Sequence, residues 1–266
     1  MNEYFHHKVI WITGASSGIG EALTKYLIQH TSARLVLSAR SADKLHTLAN
    51  TCSNPHRILI LPFDLSESFD ASYLARKTIQ HFKKIDILIN NAGISQRAKA
   101  LEISEEVERK LFEINYFSYI KLSKAVLPYM LQQKQGHIVV MSSIAGKFGF
   151  YLRSTYSAAK HALHGYFESL RLEYEKEGVV VTIVCPGKIK TMISMNAIGT
   201  NGEKHHQMDE SHQHAMLPEQ AAIKILKAIA HQKNEVYVGG KELLMVYFKR
   251  YCPFLFNWLI RKQSPY

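Results

Sequence analysis

Short apolar runs that read as strands alternate with longer helical stretches along this chain, and that alternation most narrows what it can fold into. The order is Val9 to Thr13, a helix to about His30, Arg34 to Ser38, Arg57 to Leu61 and Ile85 to Asn90. A second half repeats it: a long helix from about Ser104 to Gln133, strand His137 to Met141, and a helix through Tyr156 to Glu175. Strand Val179 to Cys185, a helix from Pro218 to His231 and a closing strand Glu235 to Val238 follow. Val179-Val180-Val181-Thr182-Ile183-Val184 is almost uniformly apolar rather than alternating, which suits a parallel sheet covered on both faces. The expected architecture is α/β and doubly wound, with a parallel sheet of about seven strands and helices on both faces. Its 266 residues are enough for one well-buried core, and no long Pro-, Ser- or Gly-rich linker divides them, so residues 1–266 read as a single domain.

In such a sheet, ligands bind beyond the carboxyl ends of the strands, where strand order reverses. The loop after the first strand, Thr13-Gly14-Ala15-Ser16-Ser17-Gly18-Ile19-Gly20, turns directly into a helix. Gly14, Gly18 and Gly20 let backbone approach a diphosphate, while the N–H groups of Ser16, Ser17 and Ile19 lie at a helix N-terminus that favours anions. This is a nucleotide-binding, Rossmann-type arrangement. The spacing is Gly-x-x-x-Gly-x-Gly, not Gly-x-Gly-x-x-Gly, and it lacks the lysine of an NTPase phosphate loop. The second strand ends Leu37-Ser38-Ala39-Arg40, with no acid to meet a ribose 2′-hydroxyl. Arg40 can pair with a 2′-phosphate and Ser38 offers a hydroxyl, so NADP(H) is favoured over NAD(H). Asp64, beside Leu65, could accept from an adenine amino group or cap a helix.

Tyr156 and Lys160 stand four apart, on one face of a helix. A cation beside a phenol favours the phenolate and moves it toward acid/base work near neutral pH. Together with the loops above, the chain resembles the short-chain dehydrogenase/reductase family over roughly residues 8 to 240. Its tail resembles the dehydrogenase/reductase member 7 branch. The resemblance implies a catalytic tetrad of Asn115, Ser143, Tyr156 and Lys160. In it Tyr156 gives a proton to a carbonyl oxygen, or takes it in reverse, while a nicotinamide carries hydride. Lys160 would tune Tyr156 and hold the nicotinamide ribose, Ser143 would bind the substrate oxygen, and Asn115 would hold a water that links Lys160 to solvent. Ser142 is the alternative serine; serine-to-tyrosine spacing prefers Ser143. Asn91, Ala92 and Gly93 match the family's segment beside the adenosine, and Pro186, Gly187, Ile189 and Thr191 its nicotinamide-side loop. The implied activity is interconversion of a carbonyl and a primary or secondary alcohol on a small to medium apolar substrate; the alternatives are a membrane-docked lipid or steroid carbonyl reductase, or a non-catalytic NADPH-binding sensor or scaffold, whose usual mark, loss of the tyrosine or lysine, is absent here.

Residues of about 192–217 break the pattern and read as a substrate lid, with Met192, Ile193 and Met195 as candidate pocket walls. His205, His206, His212 and His214 read as a solvated loop, and the chemistry calls for no metal. The tail, residues 241–266, interleaves Tyr247, Phe248, Tyr251, Phe254, Phe256 and Trp258 with Lys249, Arg250, Arg261 and Lys262. That composition suits peripheral contact with a membrane, packing over the substrate mouth, or a second subunit. The formal charge of +11 is scattered, with no nucleic-acid motif, so no nucleic-acid partner is expected. Three widely separated cysteines and a polar N-terminus point to a reducing, cytoplasmic setting. A homodimer or homotetramer through the long helices is the family expectation.

Overall fold

The computed structural model of the chain describes residues 1–203 and 215–262. Seven strands form one sheet, β1 (Val9–Thr13), β2 (Arg34–Ser38), β3 (Ile58–Ile60), β4 (Ile87–Asn90), β5 (Gly136–Met141), β6 (Val179–Pro186) and β7 (Glu235–Val238). The order is β3-β2-β1-β4-β5-β6-β7 with every pairing parallel. Strand order reverses between β1 and β4, so the ligand crevice of a doubly wound sheet falls there.

Side chains alternate across the sheet. Ile10 and Ile12 of β1 face a core built with α2 (Gly18–His30), α3 (Ala42–Ala49) and α8 (Pro218–Ala230), which follow a short N-terminal turn α1 (Asn2–Phe5) in the numbering. Val9 and Trp11 face the opposite core, built with α4 (Ala71–Phe82), α6 (Ser118–Gln132) and α7 (Ser154–Tyr174). Burial on both faces explains why the strands carry continuous apolar runs.

Three elements differ from the sequence expectation. β4 starts at Ile87 rather than Ile85, because the Gln133 amide takes up the Ile85 backbone, accepting from its N–H at 3.3 Å and donating to its carbonyl at 3.0 Å. β3 is shorter than Arg57 to Leu61, since Arg57 belongs to a 3₁₀ turn and sends its guanidinium to the Thr31 and Ala33 carbonyls at the end of α2. The expected long helix Ser104 to Gln133 resolves into α5 (Glu105–Phe112), a π turn (Glu113–Phe117) and α6. Such turns insert one residue into the helical ladder and recur at functional sites. Here the turn carries Asn115.

The tail folds back as α9 (Leu244–Tyr251) and α10 (Pro253–Arg261). Pro253 starts α10, where its missing N–H removes no helical bond. Met245 and Phe256 pack on Ile144 and Phe148, which follow β5. Among the described residues no helix is long and apolar enough to cross a membrane.

Candidate active site

The glycine loop after β1 is held closed by the loop after β4. Asn91 Nδ2 donates to the Thr13 carbonyl at 2.9 Å, and the Asn91 and Ala92 N–H groups donate to Thr13 Oγ1 at 3.0 and 3.1 Å. A Cβ at Gly14 would lie 2.8 Å from Ala92 Cα, and φ there is +66°. One at Gly20 would overlap the Gly14 carbonyl, and one at Gly18, φ +55°, would touch Thr191 Cγ2 at 3.0 Å. Both close approach and positive φ therefore require glycine. Ser17 is the N-cap of α2 yet makes no side-chain cap bond, and Ser16 and Ile19 flank it on the half-buried lip of the loop.

Ser38 is buried, and its hydroxyl accepts from Trp11 Nε1 at 2.9 Å. Arg40, two residues on, is exposed beyond the end of β2, so of the two it is the group free to meet a ligand from solvent. Asp64 Oδ1 accepts from Ser66 N at 2.9 Å and from Ser66 Oγ at 2.8 Å, closing the turn in which Leu65 is buried. Asp64 therefore closes a turn and does not cap a helix: the N-cap of α4 is Asp70, whose side chain accepts from Tyr73 N.

Tyr156 and Lys160 are both buried in the first turns of α7. Lys160 Nζ donates to the Met141 carbonyl at 2.7 Å and lies 5.1 Å from the Tyr119 ring centroid and 5.9 Å from that of Tyr156. Burial pushes the Lys160 pKa down to about 7. Burial also raises the Tyr156 pKa, opposed in turn by Arg153, by the Ser143 hydroxyl and by Arg97. Both arginines are cations that the sequence pattern did not single out. Tyr119 donates to the Ala92 carbonyl at 2.8 Å, and burial raises its pKa, so it stays a phenol under the Lys160 ammonium.

The two serines after β5 separate by role. Ser142 points away, donating to the Lys160 carbonyl at 3.1 Å and meeting His164 Nε2 at 3.0 Å. Ser143 Oγ accepts from Ala145 N at 3.1 Å, donates to the Pro186 carbonyl at 3.4 Å and faces Tyr156. Asn115 spends its side chain on Ile94, accepting from its N–H at 3.0 Å and donating to its carbonyl at 2.9 Å. A Cβ at Gly93 would sit 2.8 Å from Asn115 Oδ1 and 3.7 Å from Lys160 Nζ, so the β4 loop, the π turn and α7 meet at Lys160.

Two positioning residues escape sequence reading. Gln96 is fully buried, and its Oε1 accepts from the N–H groups of Thr155 and Tyr156 at 3.0 and 3.1 Å, capping α7 from 59 and 60 positions upstream. Glu242 Oε1 accepts from Lys188 N at 2.8 Å and Gly240 N at 3.0 Å, and lies where a Cβ at Gly187 would go. It ties the start of the tail to the Pro186–Thr191 loop, in which Ile189 is buried and bridges to Met216. No local motif marks either residue, because Gln96 bonds to α7 59 and 60 positions away and Glu242 reaches Lys188 54 positions away.

Of the expected lid, Ile198 exchanges backbone bonds with Ser95 and Arg97, both 2.9 Å, and so is fastened beside Gln96. Met192 and Ile193 are exposed and Met195 half-buried. His205, His206, His212 and His214 lie outside the described residues.

The matching family model is the short chain dehydrogenase, over residues 8–201. Dehydrogenase/reductase SDR family member 7B of Bos taurus is 37% identical over 272 aligned positions, covering 99% of this chain and 83% of its own. Dehydrogenase/reductase SDR family member 7 of Homo sapiens is 36% identical, covering 96% of this chain and 77% of its own. A short-chain dehydrogenase structure from Streptomyces avermitilis matches at TM-score 0.81 with 27% identity, over 98% of each chain. A short chain dehydrogenase/reductase from Burkholderia phymatum, in complex with NAD, shares the fold at TM-score 0.82 and 23% identity, over 95% of this chain and 96% of its own. With a glycine loop at the switch point and a buried Tyr156–Lys160 pair beyond β5, this chain belongs to the short-chain dehydrogenase/reductase family of oxidoreductases.

Proposed function

We propose that this oxidoreductase uses NADP(H) to interconvert a carbonyl and an alcohol on a small to medium apolar substrate, with Tyr156 as the acid/base. The observation that carries the reading is the convergence of buried Tyr156 and Lys160 with half-buried Ser143 at the carboxyl end of the sheet, beside a glycine cradle that side chains would fill. When bound, a nicotinamide supplies or accepts the hydride. The chain's own part is the proton and the orientation. Burial keeps Tyr156 a protonated phenol at neutral pH, the form that donates to oxygen during reduction. The Ser143 hydroxyl stabilises charge developing on the substrate oxygen. Lys160 holds the ribose and, through a water at Asn115, returns the proton from solvent. Gly14, Ser16, Ser17, Gly18, Ile19 and Gly20 hold the diphosphate, and Arg40 reads the 2′-phosphate, which favours NADP(H).

The test is Tyr156→Phe. The phenyl ring fills the same space, so NADPH binding should persist while turnover falls by about 10² to 10⁴. Retained turnover would contradict the role of Tyr156.

A second reading concerns where the enzyme works. Phe254 and Trp258, 89 and 53% exposed, stand four apart on α10, and Tyr251, 75% exposed, ends α9, beside Lys249, Arg250, Arg261 and Lys262. An aromatic stripe flanked by cations fits an anionic membrane surface, so we read α9 and α10 as a peripheral docking face for an enzyme of lipid or steroid carbonyls.

A further inference from the structure

A second cluster lies one and two turns beyond Lys160 on α7, outside the site above. His164 Nδ1 stands 3.5 Å from Glu168 Oε1 and 3.7 Å from Glu235 Oε2, and the three atoms fall within 4.8 Å of one another. His164 is 8% exposed, and its Nδ1 has no hydrogen-bond partner among the described residues.

The other ring nitrogen fixes the state of this one. Ser142 Oγ has a single hydrogen, and the Lys160 carbonyl, 3.1 Å away, can only accept it. In the tautomer that serves both contacts, His164 Nε2, 3.0 Å from the same oxygen, is the donor. The neutral ring therefore turns a bare Nδ1 lone pair toward two carboxylates. Electron-rich atoms converging in a partly buried space favour a cation among them, and Lys147 meets one of the three, Glu235 Oε2. Lys147 Nζ, 2.7 Å from Glu235 Oε2, is the built-in competitor; it is partly exposed and can shift to the second oxygen of that carboxylate.

We propose that His164, Glu168 and Glu235 form a divalent-metal site of the zinc class, with a fourth position open to water. Tetrahedral coordination with bonds of about 2.1 Å separates ligand atoms by about 3.4 Å, close to the spacings from Nδ1. Metal-bound histidines characteristically donate their other N–H to an oxygen, as Nε2 does here to Ser142. Gly146 lets that bond close, since a Cβ there would lie 2.5 Å from Ser142 Oγ and 3.1 Å from His164 Nε2. Glu168 and Glu235 are partly exposed, which leaves a path from solvent. The site stands apart from hydride and proton transfer. It clamps β7 to α7 and, through Ser142, braces the backbone of Lys160.

The experiment titrates chelator-treated full-length protein with Co²⁺, read by its visible absorption, with Zn²⁺ as competitor and thermal midpoint as second readout. One Co²⁺ per chain should bind with the bands of a tetrahedral site, and Zn²⁺ should displace it and raise the midpoint. Glu168→Gln changes a side chain that is 46% exposed and leaves the core intact. It should weaken Co²⁺ binding by about tenfold or more and abolish the shift. His164→Gln should do the same, and the combined His205→Ser, His206→Ser, His212→Ser and His214→Ser variant should leave binding unchanged. No Co²⁺ binding, equal affinity in Glu168→Gln, or a signal that disappears with His205, His206, His212 and His214 would each overturn the proposal.

Discussion

Lys160 is the residue whose ionisation most directly reports on the site. Its side chain is buried and its pKa falls from 10.5 to about 7 in the ligand-free fold. The unfolded chain then binds more protons than the native state between these values, so this group makes stability rise with pH from about 7 toward 10.5 and weighs fully against folding below 7. Denaturation midpoints of the ligand-free protein, compared with Lys160→Met across that window, should show the wild type gaining on the variant as pH rises; parallel curves would mean that Lys160 keeps an ordinary pKa. Arg40 carries the cofactor prediction, since it stands exposed where Ser38 is occupied by Trp11. Arg40→Asp should move preference from NADPH toward NADH, measured as the ratio of kcat/KM for the two, and an unchanged ratio would remove Arg40 from the readout. Gln96 serves by geometry alone. Gln96→Ala leaves the Thr155 and Tyr156 N–H groups buried without their acceptor, a cost of about 1–3 kcal/mol per group. Thermal unfolding should show the loss, and kcat should drop with it because α7 carries Tyr156.

At the level of elements, the sequence reveals most where a period is local and least where a bond crosses the chain. Strands β1, β2, β5 and β6 announce themselves because burial on both faces demands largely apolar runs. The glycine loop is equally legible, since Gly14 and Gly18 adopt positive φ at a strand-to-helix turn. The π turn at Glu113–Phe117 is not, because one extra residue in a helix leaves the apolar pattern on either side intact. That turn is what aims Asn115 at Ile94. The start of β4 is misread for a related reason: Ile85 is as apolar as its neighbours, but Gln133, 48 positions away, takes its backbone. Gln96 and Glu242 are invisible on the same ground. The tail reads correctly as aromatic and basic, while its break into α9 and α10 follows from Pro253.

For the whole molecule, the sheet gathers loops from β1, β4, β5 and β6 at one edge, and the tail closes over the Ser143 loop through Phe148 and Phe256. The outer face of the tail carries exposed Tyr251, Phe254 and Trp258, the surface on which the proposed membrane contact rests. Sedimentation with anionic vesicles should pull down the full chain and lose Phe254→Ser/Trp258→Ser, two exposed positions whose change spares the core. Equal sedimentation of both would remove the membrane reading and leave the stripe to a second copy of the chain. The measurement that bears most directly on the central claim is consumption of NADPH and NADH, at equal concentration, across a panel of ketones, aldehydes, quinones, steroids and long-chain lipid carbonyls, beside Tyr156→Phe. The account predicts substrate-dependent oxidation of NADPH, slower with NADH, that collapses in Tyr156→Phe while NADPH still binds. Turnover that survives in Tyr156→Phe would contradict it.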